Sequence, residues 1–263
     1  MHKAFIIKVK YGGLGDHLFL SHLPRIAKTV GGYERVYISN LSEYRHPDYR
    51  KLVWELNPFV DGFCDEDGQY TQIMTIPPGA NLLDIIMLAR GLDDGKRFHE
   101  PEIFYRSNLT VQLAEKNIFD PNYISNAGVI SNRKLIRFLN KSGGVDLQMR
   151  VRDKSYGVQT VVPFLDSSDI FHYCDIIASC KNFFCLTSGG ATLAAALKKP
   201  SYVLYGYGVN RWFHHSRLHQ YVDVSIMFAR QIYPAARILR ICRRIPHFIM
   251  EKKLFFRWSE SHT

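Results

Sequence analysis

The sequence predicts an α/β protein with two Rossmann-like domains that face each other across a cleft, followed by a basic C-terminal helical tail. Three observations predict this fold. Apolar, β-branched segments alternate with segments of helical periodicity over most of the chain, which is typical of parallel β-α-β construction. Two strand-to-helix junctions are rich in glycine, at residues 12–15 and 187–192. Beyond residue 228 arginine, lysine and aromatic residues become frequent.

The predicted first domain, residues 1–107, alternates strands and helices. Its predicted strands are residues 4–9, 35–39, 60–64 and 72–76. Its predicted helices are residues 14–30, 46–56 and 81–90. A polar, turn-rich stretch from residue 91 to residue 108 follows these elements and marks the end of the domain.

The predicted second domain, residues 108–228, repeats the alternation. Its predicted strands are residues 123–130, 147–151, 159–162, 182–186 and 201–205. Its predicted helices are residues 133–140, 170–179 and 191–198. The polar stretch D-S-S-D at residues 166–169 is a helix-capping signal before the second of these helices.

The composition indicates a folded protein with an anionic partner. Of the 263 residues, 46% are hydrophobic and 22% are charged, which is ordinary for a globular protein. The formal net charge is +10. An excess of positive charge of this size favours partners that carry negative charge.

The cysteines and the apolar segments indicate a cytoplasmic protein. The five cysteines are odd in number and form no C-x-x-C pair, so we expect neither a disulfide framework nor a zinc site. The apolar run at residues 4–7 is too short for a signal peptide. No uncharged apolar stretch approaches the roughly 18 residues that a membrane-spanning helix needs.

The first glycine-rich junction places Gly12, Gly13 and Gly15 between a predicted strand and a predicted helix, with Asp16 and His17 directly behind them. Glycine allows a tight reversal and a close approach to the backbone. Asp16 has two interpretations. It is either an electrostatic helix cap or a general base at the carboxyl end of the strand, where open α/β sheets bind their ligands.

The second junction combines hydroxyl groups with glycine N–H groups. Its candidate ligand-binding residues are Thr187, Ser188, Gly189, Gly190 and Thr192. The start of the following helix carries partial positive charge, so this junction suits a phosphate or diphosphate. A turn that serves packing alone is the alternative.

Two segments carry a family resemblance. Y-G-G-L-G-D-H-L at residues 11–18 and F-F-C-L-T-S-G-G-A-T-L-A-A-A-L-K-K-P-S-Y-V-L-Y-G at residues 183–206 resemble segments of the heptosyltransferases, glycosyltransferase family 9, which have the GT-B fold. The likeness spans about residues 4–206, although only the two glycine turns are specific.

The resemblance implies an inverting, metal-independent glycosyltransferase that needs no cofactor and acts in cell-envelope polysaccharide synthesis, such as that of lipopolysaccharide or capsule. Asp16 would be the base, and Gly12, Gly13, Gly15 and His17 would form the acceptor-side turn. Besides the second junction, the implied donor-binding residues are Gly206 and a basic residue, Arg133 or Lys134. Family members that use ADP-heptose have an acid at the position of Thr187 and a histidine at that of Thr192, so the transferred sugar stays open between hexose and heptose.

Two other interpretations of the site remain. G-G-L-G-D-H-L-F at residues 12–19 is also similar to the opening of α-1,2-fucosyltransferases, although their H-x-R-R-G-D segment is absent. A non-catalytic subunit that binds nucleotide-sugars with the same fold is the other alternative. Arg211 lies just after the last predicted strand and is a candidate contact for phosphate. His214, His215 and His219 have no acidic partner at ligand spacing, and we expect no metal there.

The tail, residues 229–263, is strongly basic. Between residues 229 and 258 it has eight basic residues and one acid, a net charge of +7. Arg237, Arg240, Arg243 and Arg244 alternate with apolar residues at helical spacing. We expect this tail to dock on anionic lipid at the inner face of the cytoplasmic membrane, and it could also pack on the first domain. No recognised nucleic-acid module precedes it, so a nucleic-acid partner is not expected.

Overall fold

A small parallel sheet forms the first part of the protein. The computed structural model describes residues 3–68, 77–123, 127–151 and 162–226. Strands β1 (Ala4–Ile7), β2 (Arg35–Ser39) and β3 (Gly62–Cys64) pair in the order β1-β2-β3, with Phe5 opposite Val36 and Ile38 opposite Phe63. The predicted strand at 72–76 lies outside the described residues.

The helices of the first part are shorter than the sequence predicts. They are α1 (Leu14–Leu18), α2 (Leu23–Thr29), α3 (Asp48–Arg50, continued by π-helical turns over Lys51–Glu55) and α4 (Leu82–Leu88). The single helix predicted over residues 14–30 was wrong, because the chain breaks between α1 and α2. Pro24 explains the break, since proline has no N–H to donate and fits only the first turn of a helix, where it lies in α2.

A larger parallel sheet forms the second part. Its strands are β4 (Asn117–Asp120), β5 (Leu147–Met149), β6 (Phe164–Leu165), β7 (Asn182–Leu186), β8 (Ser201–Tyr205) and β9 (His219–Asp223). Its helices are α5 (Asn132–Lys141), α6 (Ile170–Ser179) and α7 (Gly189–Ala196). The strand order is β6-β5-β4-β7-β8-β9. Counted from β4, this is the 3-2-1-4-5-6 order of dinucleotide-binding Rossmann domains.

Most elements of the second part agree with the predictions, and three strands do not. The strand predicted over residues 123–130 was wrong, since β4 ends at Asp120 and Val129 and Ile130 form only isolated bridges. Strands β6 and β9 were not predicted. Most of the strand predicted at 159–162 lies outside the described residues. The predicted α/β fold class is confirmed, and the domain boundary predicted at residue 107 falls in the stretch between β3 and β4.

One apolar core joins the two parts. It includes Phe5, Ile38 and Trp54 of the first part together with Ile118 and Phe183 of the second part, all fully buried. None of the helices in the described ranges has the length and apolarity that a membrane crossing needs.

Buried polar groups also hold the two parts together. The Asn81 side-chain amide donates hydrogen bonds to the carbonyl oxygens of His99 (2.7 Å) and His215 (2.8 Å). The ring of Phe19 packs edge-on against His215, with 5.2 Å between centroids. His219 donates from Nε2 to the carbonyl of Ala191 (2.9 Å) at the start of α7. Histidine rings therefore lie inside the junction, where a charged ring would lack hydration.

These buried histidines predict acid sensitivity. Burial lowers the pKa of His215 to about 3 and that of His219 to about 4, from 6.5. Above pH 6.5 both rings are neutral in the folded and unfolded states. Below pH 6.5 only the unfolded chain takes up protons, so between pH 6.5 and 5 we expect a loss of about 2 kcal/mol of unfolding free energy for each ring. Urea unfolding across this pH range measures the loss.

Two variants test the source of the loss. His219→Gln should show a shallower pH dependence than the wild type, because one titrating ring is gone. His46→Gln, at an exposed ring, should match the wild type. An unfolding free energy that is flat over this range, or an equally steep curve for His219→Gln, would contradict the assignment.

Candidate active site at the domain junction

The topology of the larger sheet identifies where a ligand would bind. The strand order reverses between β4 and β7, which lie side by side with Asp120 opposite Cys185. In open α/β sheets ligands bind outside the carboxyl ends of the strands at such a switch point. The second glycine turn follows β7 directly, so it lies at this position.

Hydroxyl groups shape the second turn. Ser188 caps α7, with its Oγ accepting a hydrogen bond from the N–H of Gly190 (3.2 Å). Thr187 is 5% exposed, and its Oγ1 has no hydrogen-bond partner among the described residues. An unpaired buried hydroxyl costs free energy, and a ligand oxygen at the turn could relieve that cost.

Thr192 is buried inside the second turn. It is 1% exposed and its Oγ1 donates to the carbonyl of Ser188 at 3.4 Å. This hydrogen bond stabilises the turn from within α7, and the predicted donor-binding role of Thr192 stays a prediction.

A buried carboxylate that was not among the predicted site residues lies beside this turn. Asp120 ends β4, and its Oδ1 accepts from the backbone and side-chain amides of Asn122 at 2.9 and 2.7 Å. The Tyr173 hydroxyl donates to Oδ2. A Cβ on Gly190 would lie 2.9 Å from that oxygen, so the turn requires glycine there. Because the strand was predicted at residues 123–130, Asp120 was not recognised as a residue at the end of a strand.

The first glycine turn packs against the loop that follows β2. The N–H of Arg45 donates to the carbonyl of Gly12 at 2.8 Å. A Cβ on Gly12 would lie 2.8 Å from the nitrogen of Arg45, so no larger residue fits without moving the backbone. The close approach predicted from the glycines is present, and here its partner is the protein's own loop.

Asp16 is half-buried in α1 with one oxygen anchored. Its Oδ2 accepts from the N–H of Gly13 at 3.1 Å, and Oδ1 has no hydrogen bond within the described residues. Burial raises the pKa of Asp16 above 3.8, while the Gly13 N–H and the positive charge of Arg45 oppose that shift. A raised pKa makes a carboxylate a better proton acceptor. Asp16 therefore fits both interpretations, because Oδ2 caps the helix while Oδ1 is available as a candidate base.

His17 is a structural residue of the first turn. It is fully buried, the Trp54 indole donates to its Nδ1 at 3.0 Å, and its Nε2 donates to the carbonyl of Glu43 at 3.0 Å. These partners fix the neutral tautomer, and burial lowers the pKa of His17 to about 4. The predicted acceptor-side role of His17 is thus limited to holding the turn in shape.

The two glycine turns touch each other. A Cβ on Gly15 would lie 3.4 Å from the Cα of Gly189, and a Cβ on Gly189 would lie 3.1 Å from the nitrogen of Gly15. The two turns therefore face each other at the junction of the two parts. They meet in direct contact, so a ligand at the switch point would lie beside this contact rather than between the glycines.

The other predicted site residues lie outside the two glycine turns. Gly206 packs against the segment before α5, and its N–H donates to the carbonyl of Ala127 at 2.7 Å. Arg211 is exposed at the start of a short 3-10 turn. Arg133 and Lys134 are exposed in the first turn of α5, and their predicted donor role stays a prediction. Arg237, Arg240, Arg243 and Arg244 lie outside the described residues.

The junction histidines make ring contacts rather than a metal cluster. His214 stacks on Tyr221 with 4.1 Å between centroids. Over the described ranges, no group of three or more histidine, cysteine or acidic side chains is arranged to hold a metal ion.

Comparison with known proteins bears on the fold. No protein-family model and no curated protein matches the sequence. A family 9 glycosyltransferase from Veillonella parvula is similar in structure, with a TM-score of 0.57, 10% identity and coverage of 90% of this chain and 89% of that chain. The E. coli ADP-heptose lipopolysaccharide heptosyltransferase II has a TM-score of 0.58 and 11% identity, with 92% and 99% covered.

TibC is a third similar structure. This iron-containing dodecameric glycosyltransferase from enterotoxigenic E. coli has a TM-score of 0.58 and 14% identity over 83% of this chain, which spans 62% of TibC. The TM-scores show a shared fold, and at these low identities they show the fold alone, so the resemblance to heptosyltransferases is confirmed at that level. The chain has the two-domain GT-B architecture of the heptosyltransferases.

The contact between the turns predicts unequal tolerance of two glycines. Gly189→Ala should lower the unfolding free energy by about 1–3 kcal/mol, because its Cβ meets backbone of the other domain. Gly15→Ala places its Cβ at an ordinary van der Waals distance and should cost less than about 1 kcal/mol. Chemical denaturation compares the two variants, and equal losses would argue against the packed junction.

Proposed function

We propose that this protein is a glycosyltransferase that moves a hexose or heptose from a nucleotide-sugar to a glycan or lipid-linked acceptor. The observation that carries the proposal is the meeting of the two turns in a GT-B fold. One turn presents the half-buried carboxylate of Asp16, and the other begins α7 at the topological switch point.

The proposed chemistry begins at Asp16. The acceptor hydroxyl binds at Oδ1, which is free of hydrogen bonds within the described residues, while Gly13 holds Oδ2 in place. Asp16 takes the hydroxyl proton as the acceptor oxygen attacks the anomeric carbon. The bond to the nucleoside diphosphate breaks on the opposite face, so the configuration inverts. A fixed carboxylate orients the attack and removes the proton in the same step.

The donor would bind at the start of α7. Backbone N–H groups and the partial positive charge of this helix start stabilise the departing diphosphate, and the Thr187 hydroxyl is available for a further hydrogen bond. This arrangement needs no metal ion. A structure of the similar protein TibC in complex with ADP-D-beta-D-heptose supports a nucleotide-sugar as the donor class.

The acceptor side is proposed to serve cell-envelope polysaccharide synthesis, such as that of lipopolysaccharide or capsule. A lipid-linked acceptor would place the enzyme at the inner face of the cytoplasmic membrane, with the basic tail as its peripheral anchor. The α-1,2-fucosyltransferase-like reaction would use the same base and the same donor class.

A non-catalytic nucleotide-sugar-binding subunit is the second candidate. The buried hydroxyl of Thr192 favours it, because its hydrogen bond goes to the carbonyl of Ser188 within the turn. Replacement of Asp16 separates the two candidates.

Asp16→Asn should lower kcat by about 10²–10⁴-fold with little effect on donor affinity, because asparagine keeps an acceptor for the Gly13 N–H and cannot take the proton. Sugar transfer to a membrane-extracted acceptor measures turnover. In the wild type kcat/KM should fall as the pH drops through the raised pKa of Asp16. Glu115→Gln, at an 84% exposed side chain, is the control and should keep full activity. An Asp16→Asn enzyme that keeps wild-type turnover would rule out this base.

A nucleoside diphosphate or its sugar should stabilise the folded protein. A ligand at a hundredfold excess over its dissociation constant adds about 2.7 kcal/mol, which a thermal-shift panel of ADP, GDP, UDP and CDP detects. Thr187→Val should unfold no more easily than the wild type, since it removes an unpaired buried hydroxyl, yet it should bind about 10- to 100-fold more weakly. Absence of stabilisation by every nucleotide and nucleotide-sugar in the panel would count against the donor site.

A further inference from the structure

Helix α5 presents a face made of basic side chains. Its buried residues, Leu135 and Leu139, pack into the core of the second domain. Its other side exposes four cations, and the helix has no acidic residue. These cations are Arg133, Lys134, Arg137 and Lys141. Spacings of three and four residues place them on one side of the helix.

The charges on this basic face of α5 are not neutralised. Within the described ranges none of the four cations lies within 4.0 Å of a carboxylate, whereas Arg25, Arg50, Arg97 and Arg150 each do. Two hollows lie along α5. Among the described residues that line them, Asp223 is the only acid. Asp223 accepts a hydrogen bond from the N–H of Ser225 at 2.8 Å. Four cations against this one carboxylate leave the face with a net positive charge.

An apolar side chain lies among these cations. Ile136 is 40% exposed and lines a hollow together with Arg133, Arg137, Asn140 and Lys141. No residue of either glycine turn lines this hollow, so it is distinct from the proposed donor site. An exposed isoleucine between arginines can enter the boundary between lipid headgroups and acyl chains.

The described chain ends beside the start of α5. Ile130 bridges to Ser225, and the N–H of Ser131, the cap of α5, donates to the carbonyl of Val224 at 2.8 Å. The residues that follow carry the net charge of +7 between positions 229 and 258. The basic segment therefore leaves the described part of the chain next to the start of α5.

We propose that the basic face of α5 is a docking surface for an anionic lipid bilayer. Acidic lipid headgroups neutralise the four cations, and Ile136 inserts between them. A nucleic acid suits this face less well, because the exposed residues of α5 offer no aromatic ring on which a base could stack.

The test uses the full chain and sedimentation with vesicles at 0.1 M salt. The wild type should partition onto vesicles that contain phosphatidylglycerol and should not partition onto pure phosphatidylcholine. Each Lys or Arg near an anionic surface strengthens binding by about fivefold, so Arg137→Gln/Lys141→Gln should bind roughly 30-fold more weakly. Neither residue belongs to the predicted donor set.

A matched control is available on the first domain. Lys96→Gln/Arg106→Gln removes the same charge from two exposed positions and should bind vesicles within about twofold of the wild type. Equal binding by the two double variants would overturn the proposal. So would wild-type binding to phosphatidylcholine alone, or a loss of duplex-DNA binding in Arg137→Gln/Lys141→Gln with vesicle binding intact. Vesicle binding needs no nucleotide, so its failure leaves the proposed sugar transfer to its own tests.

Discussion

The backbone contact between Gly15 and Gly189 is the constraint on which the site depends. Two helix starts from different domains approach until a methyl group on Gly189 would press on the backbone of Gly15. This approach brings the Asp16 carboxylate and the start of α7 to the same junction. The carboxyl edges of the two sheets can approach this closely because Gly189 lacks a side chain.

Buried polar groups give the junction its shape. His17 links α1 to Trp54 and to the loop that follows β2. On the other side Asp120 holds Tyr173 beside Gly190. Each group has partners in a different element, so the two turns are positioned from several directions. A satisfied buried network of this kind fixes one arrangement, because breaking any member leaves a buried polar atom unpaired.

The charges of the molecule are divided between two places. At the junction the carboxylates of Asp16 and Asp120 lie close to the start of α7. On α5 and in the tail, cations outnumber the acids near them. Helices α5 and α7 belong to the same domain. Docking through α5 would therefore hold the proposed donor site at the start of α7 at a fixed distance from a membrane surface. This separation lets surface binding and chemistry vary independently.

The sequence by itself determined the α/β alternation, the β7–α7 junction and the candidate base, because these depend on local apolar runs, glycine spacing and one carboxylate. Only the tertiary structure decided the rest. β4 is a strand because β5 and β7 cover a short segment with polar ends, N-I-F-D, on both sides. His17 became a structural residue because its partners, Trp54 and Glu43, are distant in the sequence and are brought to it by folding. Asp120 joined the junction because a parallel strand order places distant strand ends side by side, which no local pattern encodes.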